Sequence, residues 1–539
     1  MAEIKREGFA EEGAKVTYER LVNVRQPYET RAEACAAVTI PSLYPKDSDN
    51  ETTDYKTPYQ SIGARGVNNL ASKLMLALFP MQTWLKLSPS EFEVKSISGD
   101  KEAMATIDSG LAMVERILMN YMESNSYRVD LFEAIKQLII SGNALLYIPN
   151  PDDNKISNYN PMKLYKLSSY VVQRDTFGNI LQIVMLDKVA YSALDVDIQD
   201  KIPDKDNMEP DSEVNVYTHV YLDPETKKYL KYEEIDGEII EGTDAEYPLD
   251  ANPYIPIRMV RLSGESYGRS YAEEYLGDLR TLENLSENIV KYSAIASKVI
   301  GLVNPAGITT PRRLVKAQTG DYVTGRRQDI EFLQIDKMMD LSIAKNTADD
   351  IEARLGFAFM LNSAVQRTGE RVTAEEIRYV AAELEDTLGG VYSILSQELQ
   401  LPLVKVLLVQ LQAVEKIPEM PKEAVNPTVT TGLDALGRGQ DKDKLIEYVE
   451  GLGGIRGLEG DPDIKLATLK KRLANAIGID ASDLLLTEED KQQALSEAAA
   501  QQATLAGAQA GGQGLGATAT ASPEAIQGAM AQAGMPTTI

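Results

Sequence analysis

Residues Gly264-Glu265-Ser266-Tyr267-Gly268 fit G-x-S-x-G, the turn that presents a nucleophilic serine between a strand and a helix. A predicted strand precedes them and a predicted helix follows, so the local context suits an esterase. Ester hydrolysis on that turn needs a histidine later in the chain to take the serine proton. The chain has one histidine, His219, and it comes before Ser266. The triad fails, and the stretch reads better as a helix start in which Ser270 caps and Glu273 takes the reciprocal position. The single cysteine, Cys35, leaves no internal disulfide and no thiolate metal cluster, as expected for assembly in a reducing compartment. Residues 46–50, KDSDN, offer carboxylates to a cation, but no EF-hand spacing follows and a solvated turn is expected. No G-x-x-x-x-G-K-[ST] loop occurs, so any ATP-driven step belongs to a partner. The expectation is a protein that is not an enzyme and takes neither cofactor nor metal.

Two groups of cations carry more information. Arg312, Arg313, Lys316, Arg326 and Arg327 face a single acid, Asp321, between Pro305 and Arg327. In an acidic chain such a local excess fits an acidic partner or DNA, and a solvated face fits equally well. The second group lies in residues 362–372, a polar connection containing Asn362, Gln366, Arg367, Gly369, Glu370 and Arg371 and nothing apolar larger than Val. Connections in helical bundles run to roughly 2–8 residues, so a longer polar one points to function. Taken alone, an ordinary helical-hairpin loop explains it as well or better.

The elements that must position these cations are long helices. Between 337 and 361, Leu341, Ala344, Ala348, Ile351, Leu355 and Ala358 keep a helical period into the polar connection. Beyond it, Thr373 and Glu376 have capping-box spacing. Ile377, Val380, Leu384, Leu388, Val391, Leu395, Leu399, Leu403, Leu407 and Leu411 then mark one face of a helix roughly 60 Å long at ~1.5 Å per residue. Gly389, Gly390 and Pro402 are its expected bends. A further helix is expected over 271–299, with Leu276, Leu279, Leu282, Leu285, Ile289, Tyr292, Ala296 and Val299 on one face. Between it and the helix from 337 lies a module punctuated by Pro305, Gly307, Pro311, Gly320 and Gly325, so that two helices flank a small insertion.

The rest of the chain is a scaffold of mixed type. Residues 1–142 read as helices, near 64–79, 103–122 and 128–140, with Trp84 in the core. From 144 to 262 the period shifts towards two. Strands are expected at 145–149, 163–175, 180–187, 214–222, 228–235 and 257–262, with turns at Phe177-Gly178-Asn179 and Asp236-Gly237 and an acidic excursion over 195–213. Twenty-six Tyr against 8 Phe favours rings with a polar tip, as at subunit interfaces and in half-buried strands alike. Pro418, Pro421 and Pro427 mark a linker to helices near 441–450, 464–477 and 487–505, and a Gly-, Ala-, Gln- and Thr-rich tail follows. With 539 residues, 43% hydrophobic and 25% charged, the chain has an ordinary soluble composition. The formal net charge of −26 argues against general adhesion to nucleic acid, yet an acidic wall would let DNA pass without holding it. The charged start is no signal peptide, and no uninterrupted apolar run reaches about 18 residues, so no membrane span is expected.

The strings ERVTAEEIR (370–378) and EDTLGGVYSILSQELQLPL (385–403) resemble the tunnel loop and following long helix of phage portal proteins, the head-to-tail connectors of short-tailed autographiviruses. The resemblance extends through SYGRSYAEEYLGDLRTLENL (266–285), LVNPAGITTPRRL (302–314) and the N-terminal YERL, PYETRA, TIPSLYPKDSDN and NNLASKLMLALFPMQTW. It covers the chain nearly end to end, apart from the biased tail.

The resemblance implies an α+β, mainly helical portal fold assembled as a ring. It implies a wing over 1–265, a first stem helix over 266–301, a clip over 302–336 and a second stem helix over 337–360. A tunnel loop over 361–372, a long wing and channel helix over 373–424, a helical crown over 425–505 and a tail over 506–539 complete the order. It further implies a homododecamer at one capsid vertex, through which double-stranded DNA is packaged, retained and ejected. The implied partners are the terminase large subunit, major capsid and scaffolding proteins, tail adaptor proteins and internal core proteins. The implied place is the virion, after assembly in the host cytoplasm. Arg367 and Arg371 would then meet phosphates in the lumen. A tail adaptor or other non-portal ring is the alternative.

Overall fold

The structure is a computed structural model of the chain. It describes residues 8–46, 49, 52–80, 84–87, 101–151, 159–194, 196–199, 209–296, 301–332, 338–361 and 390–417. The chain divides into Met1–Leu436 and Gly437–Ile539, and every described residue lies in the first unit. The expected capping pair Thr373 and Glu376, the helices after 440 and the tail lie outside the described residues.

The N-terminal part is helical: α1 (Ala14–Ala37), α2 (Ile62–Leu78), α3 (Lys101–Ser124) and α4 (Tyr127–Ser141). The last three match the expected helices to within two residues at either end. α2 stops at Phe79 because Pro80 cannot continue it, and buried Trp84 packs edge-on against Phe79 at 5.0 Å. The start of α1 is capped from far away in sequence. Buried Glu234 accepts the Ala14 N–H at 2.8 Å and the Lys15 N–H at 3.0 Å, a carboxylate set where the helix dipole favours one.

A three-stranded sheet, in order β2-β1-β9, is built from β1 (Asn143–Tyr147), β2 (Lys163–Tyr165) and β9 (Tyr254–Arg258). The larger sheet runs β3 (Tyr170–Arg174), β4 (Ile180–Ala190), β5 (Glu213–Asp223), β6 (Lys228–Ile235) and β7 (Glu238–Ile239), with β8 (Ala245–Pro248) also on β6. Its pleat sorts side chains as the period of two requires. Val171, Val184, Tyr217 and Tyr221 pack with Tyr18 and Leu21 of α1 in one cluster, while Val172, Ile183, Met185 and Val220 join the main core. The Asp236-Gly237 turn has φ of +48° and +88°, the left-handed pair of a tight hairpin. The strand expected at 257–262 ends at Arg258, and beyond it Val260 makes only an isolated bridge to Arg269.

Two expected helices are interrupted. The one from 271 consists of a single turn, α5 (Tyr271–Glu274), then α6 (Leu276–Ala296), the break falling where the Tyr271 and Tyr275 rings both meet Phe359. The helix expected from 373 is not continuous through 390. Gly390 has φ +93°, which no helix interior tolerates, and the helix starts afresh after it. From there α9 (Val391–Leu395), a π-helical turn (Ser396–Gln400) and α10 (Leu401–Ala413) follow without a gap, α7 (Pro311–Lys316) and α8 (Met338–Ala358) having come before. By length and composition 391–413 would suffice to cross a membrane, a feature the sequence reading passed over. Its Leu395, Leu399, Leu403, Leu407 and Leu411 are instead buried in the core.

Candidate functional site: a basic tip module and the root of the polar loop

α6 and α8 pack against each other and leave the core together, joined by the module 301–332. Near the core the α6 stripe is covered: Leu279 and Leu282 are buried, and Leu285 and Ile289 are partly so. Further out, Val290 and Ile295 on α6 and Met339 and Ile343 on α8 are exposed. Met339 and Ile343 lie one turn apart on one face of α8, whereas Val290 and Ile295, five residues apart, point to different sides of α6.

The module is a two-stranded ladder, β10 (Gly301–Val303) against β11 (Ile330–Phe332), closed by one polar knot. Buried Asp329 takes the Thr309 hydroxyl at 2.8 Å and the Thr309 N–H at 3.3 Å, while Thr309 Oγ1 accepts the Arg326 N–H at 2.9 Å. Gly307 and Gly325 are required there, since a Cβ would lie 2.5 Å from Asp329 Cγ or 2.7 Å from Thr309 Oγ1. Sequence reasoning missed this knot: Thr309 and Asp329 are twenty residues apart, and only the two glycines hinted at close packing.

The structure puts Arg312, Arg313 and Lys316 on α7, with Arg326 and Arg327 on the strap leading to β11, all five exposed. Among the described residues none of the five forms an ion pair. Asp321, the acid between them in sequence, is engaged by its own turn, accepting the Gln318 N–H at 2.8 Å. Val315 and Tyr322, 88% and 104% exposed, lie between these cations in sequence. The module thus exposes two large apolar side chains and five cations within one stretch of chain.

Asn362, Gln366, Arg367, Glu370 and Arg371 lie outside the described residues. The root from which they spring is firmly held. α8 ends with Met360 in the left-handed region at φ +56° and a 2.7 Å bond from the Leu361 N–H to the Gly356 carbonyl. α2 grips this end: the Asn69 amide donates to the carbonyls of Phe359 and Met360, both at 3.0 Å, and Lys73 Nζ donates to Met360 O at 3.1 Å. A cation at a helix C-terminus is favourable, and this one is buried. Phe359 sits over Gly66, where a Cβ would come within 2.6 Å of the ring, and Tyr271 donates to Ala358 O at 2.8 Å.

The serine turn is structural. Tyr267 accepts the Val172 N–H at 3.0 Å and Ser266 Oγ accepts the Arg174 N–H at 3.4 Å, so two alternate donors on the outer edge of β3 are occupied. The Gly268 N–H donates to Asn143 at 2.7 Å, and a Cβ at Gly268 would meet the Gly142 carbonyl at 2.7 Å. His219 is fully buried in the sheet between Tyr232 at 2.9 Å and Gln182 at 3.0 Å, and burial pushes its pKa down to about 3. The Ser270 cap forms, accepting the Glu273 N–H at 2.9 Å. The expected reciprocal bond is replaced, because the Glu273 carboxylate pairs with Arg31 and Arg269 at 3.2 Å each. Burial pushes the Cys35 thiol up to about 11, away from nucleophilic chemistry. Among the described residues no cluster of His, Cys, Asp and Glu could hold a metal ion.

A family model described as bacteriophage head to tail connecting protein matches residues 11–485. The chain is 65% identical over 536 residues to proteins called portal protein from Enterobacteria phage T3 and from Escherichia phage T7, with 99% of each chain covered. It is 32% identical over 441 residues to the portal protein of Enterobacteria phage SP6, covering 80% of this chain and 82% of that one. Among solved structures, a chain from the neck of a native gene transfer agent particle aligns over 76% of this chain and 89% of its own, at 12% identity and a TM-score of 0.33.

Proposed function

The chain belongs to the bacteriophage head-to-tail connecting proteins, as a portal protein of the autographivirus type, and from that premise we propose how its parts serve a DNA channel. Twelve copies close into a ring at one vertex of the capsid, with the exposed outer apolar side chains of α6 and α8 covered by neighbouring subunits. A heterologous contact whose rotation closes gives such a ring without further components. The wing is 1–265, the stems are 266–301 and 337–360, the clip is 302–336, the loop is 361–372 and the crown is 425–505. The cations of the clip meet acidic surfaces of the terminase large subunit during packaging and of tail adaptor proteins afterwards. Major capsid, scaffolding and internal core proteins bind elsewhere on the ring. Assembly takes place in the host cytoplasm.

Within the lumen, Arg367 and Arg371 touch passing phosphates without reading bases, as backbone contacts do. Asn362, Gln366 and Glu370 keep the loop polar. The gripped end of α8 supports this role, since a loop that senses DNA needs a fixed base. The observation that carries the reading is the 65% identity with two portal proteins over 99% of each chain. Replacing both Arg367 and Arg371 by Ala tests the loop assignment. Ring assembly is expected to survive while packaging or retention of DNA falls, measured as packaged genome length and as DNA held after particle purification. Unchanged length and retention would overturn the assignment.

A further inference from the structure

The leucines of the helical run from 391 repeat every four residues: Leu395, Leu399, Leu403, Leu407 and Leu411, each at most 1% exposed. In a regular α-helix each step of four overshoots a full turn by ~40°, so four steps would carry Leu395 about 160° away from Leu411. The π turn Ser396–Gln400 takes up one extra residue and returns Leu395 to the buried face. Pro402 loosens the ladder at the same place, because it lacks the N–H that would bond to the Glu398 carbonyl.

Side chains of the π turn are fastened on two sides. Glu398 forms an ion pair with Arg258, which is 3% exposed, and also accepts the Arg258 backbone N–H at 3.1 Å at the open edge of β9. Gln400, fully buried, donates to the Leu78 carbonyl at the end of α2 and leaves its own Oε1 unbonded. Arg174 is half-buried close by, donating to Pro256 O at 2.8 Å. Burial first and the Arg258 charge second push its pKa down to about 10. Glu398 thus stands against the Arg258 guanidinium, with that of Arg174 behind it.

We propose that Arg258 and Glu398 form a register lock: they hold the helix in a π turn which, when released, reverts to α and swings Val391–Leu395 by about one residue, ~100°, relative to α10. The lock rests on the fold alone, and any use of the swing in gating a channel rests on the reading above. Hydrogen exchange by mass spectrometry on the full-length protein tests it. In Glu398→Gln, amides of residues 391–400 should exchange at least ~10-fold faster, with 403–411 and β5 unchanged. Deleting Gln397, an exposed residue of the turn, leaves an ordinary helix with Leu395 still facing inward. That deletion should therefore restore wild-type protection to the Glu398→Gln chain, and alone should exchange like wild type. Unchanged exchange in Glu398→Gln, acceleration spread over α10 and β5, or failure of the deletion to restore protection would each overturn the lock. Should Glu398→Gln not fold, the deletion alone still decides: a helix with faster exchange over 391–400 contradicts the proposal.

Discussion

At the scale of single residues, the groups with the most chemical potential in the sequence are used for structure. Ser266 and Tyr267 occupy the free edge of β3, where unpaired N–H groups would otherwise invite another strand. His219 is the clearest case, since its position before Ser266 had already ruled out one triad and its burial rules out any other base role. Its pKa is about 3 in the folded chain against 6.5 as a free side chain. A depressed value means the buried neutral ring is tolerated in full above about pH 6.5 and opposes folding increasingly as pH falls towards 3. The full shift corresponds to about 5 kcal/mol at most, at ~1.4 kcal/mol per unit. Exchange of the imidazole C2 proton, followed by mass spectrometry, should show no inflection between pH 5 and 8. A midpoint near 6.5 would mean that the ring is solvated and the sheet differs from the one described.

At the scale of elements, the tip module and the run from 391 show what a sequence discloses and what it hides. The three early helices and most of the strands were legible because apolar spacing there repeats over many residues. Gly390 was legible as a bend, and the structure makes it a helix start. The π turn was not anticipated, although the four-residue repeat of leucines was present, because a stripe read by eye tolerates both three- and four-residue steps. The Asp329 knot was hidden more deeply, since its partners meet only after the chain doubles back. The five cations of the module could be picked out from charge counting, but not the exposure of Val315 and Tyr322 beside them in sequence. Asp329→Ala removes two bonds from Thr309 and should cost the module about 2–3 kcal/mol. Limited proteolysis should then cut between 304 and 326 while α2, α4 and the large sheet stay intact. Resistance equal to wild type would show that β10 and β11 hold the module without the knot.

At the scale of the whole molecule, the proposed ring brings together a net charge of −26 and the apolar side chains exposed on the outer parts of α6 and α8. In that proposal an acidic wall lets a polyanion pass without sticking, and neighbouring copies cover the exposed side chains. Images of the purified full-length protein in negative stain test this most directly. Closed rings with an axial pore are predicted, with α6 and α8 buried between subunits. Single compact particles under every assembly-promoting condition, or rings without a pore, would contradict the account.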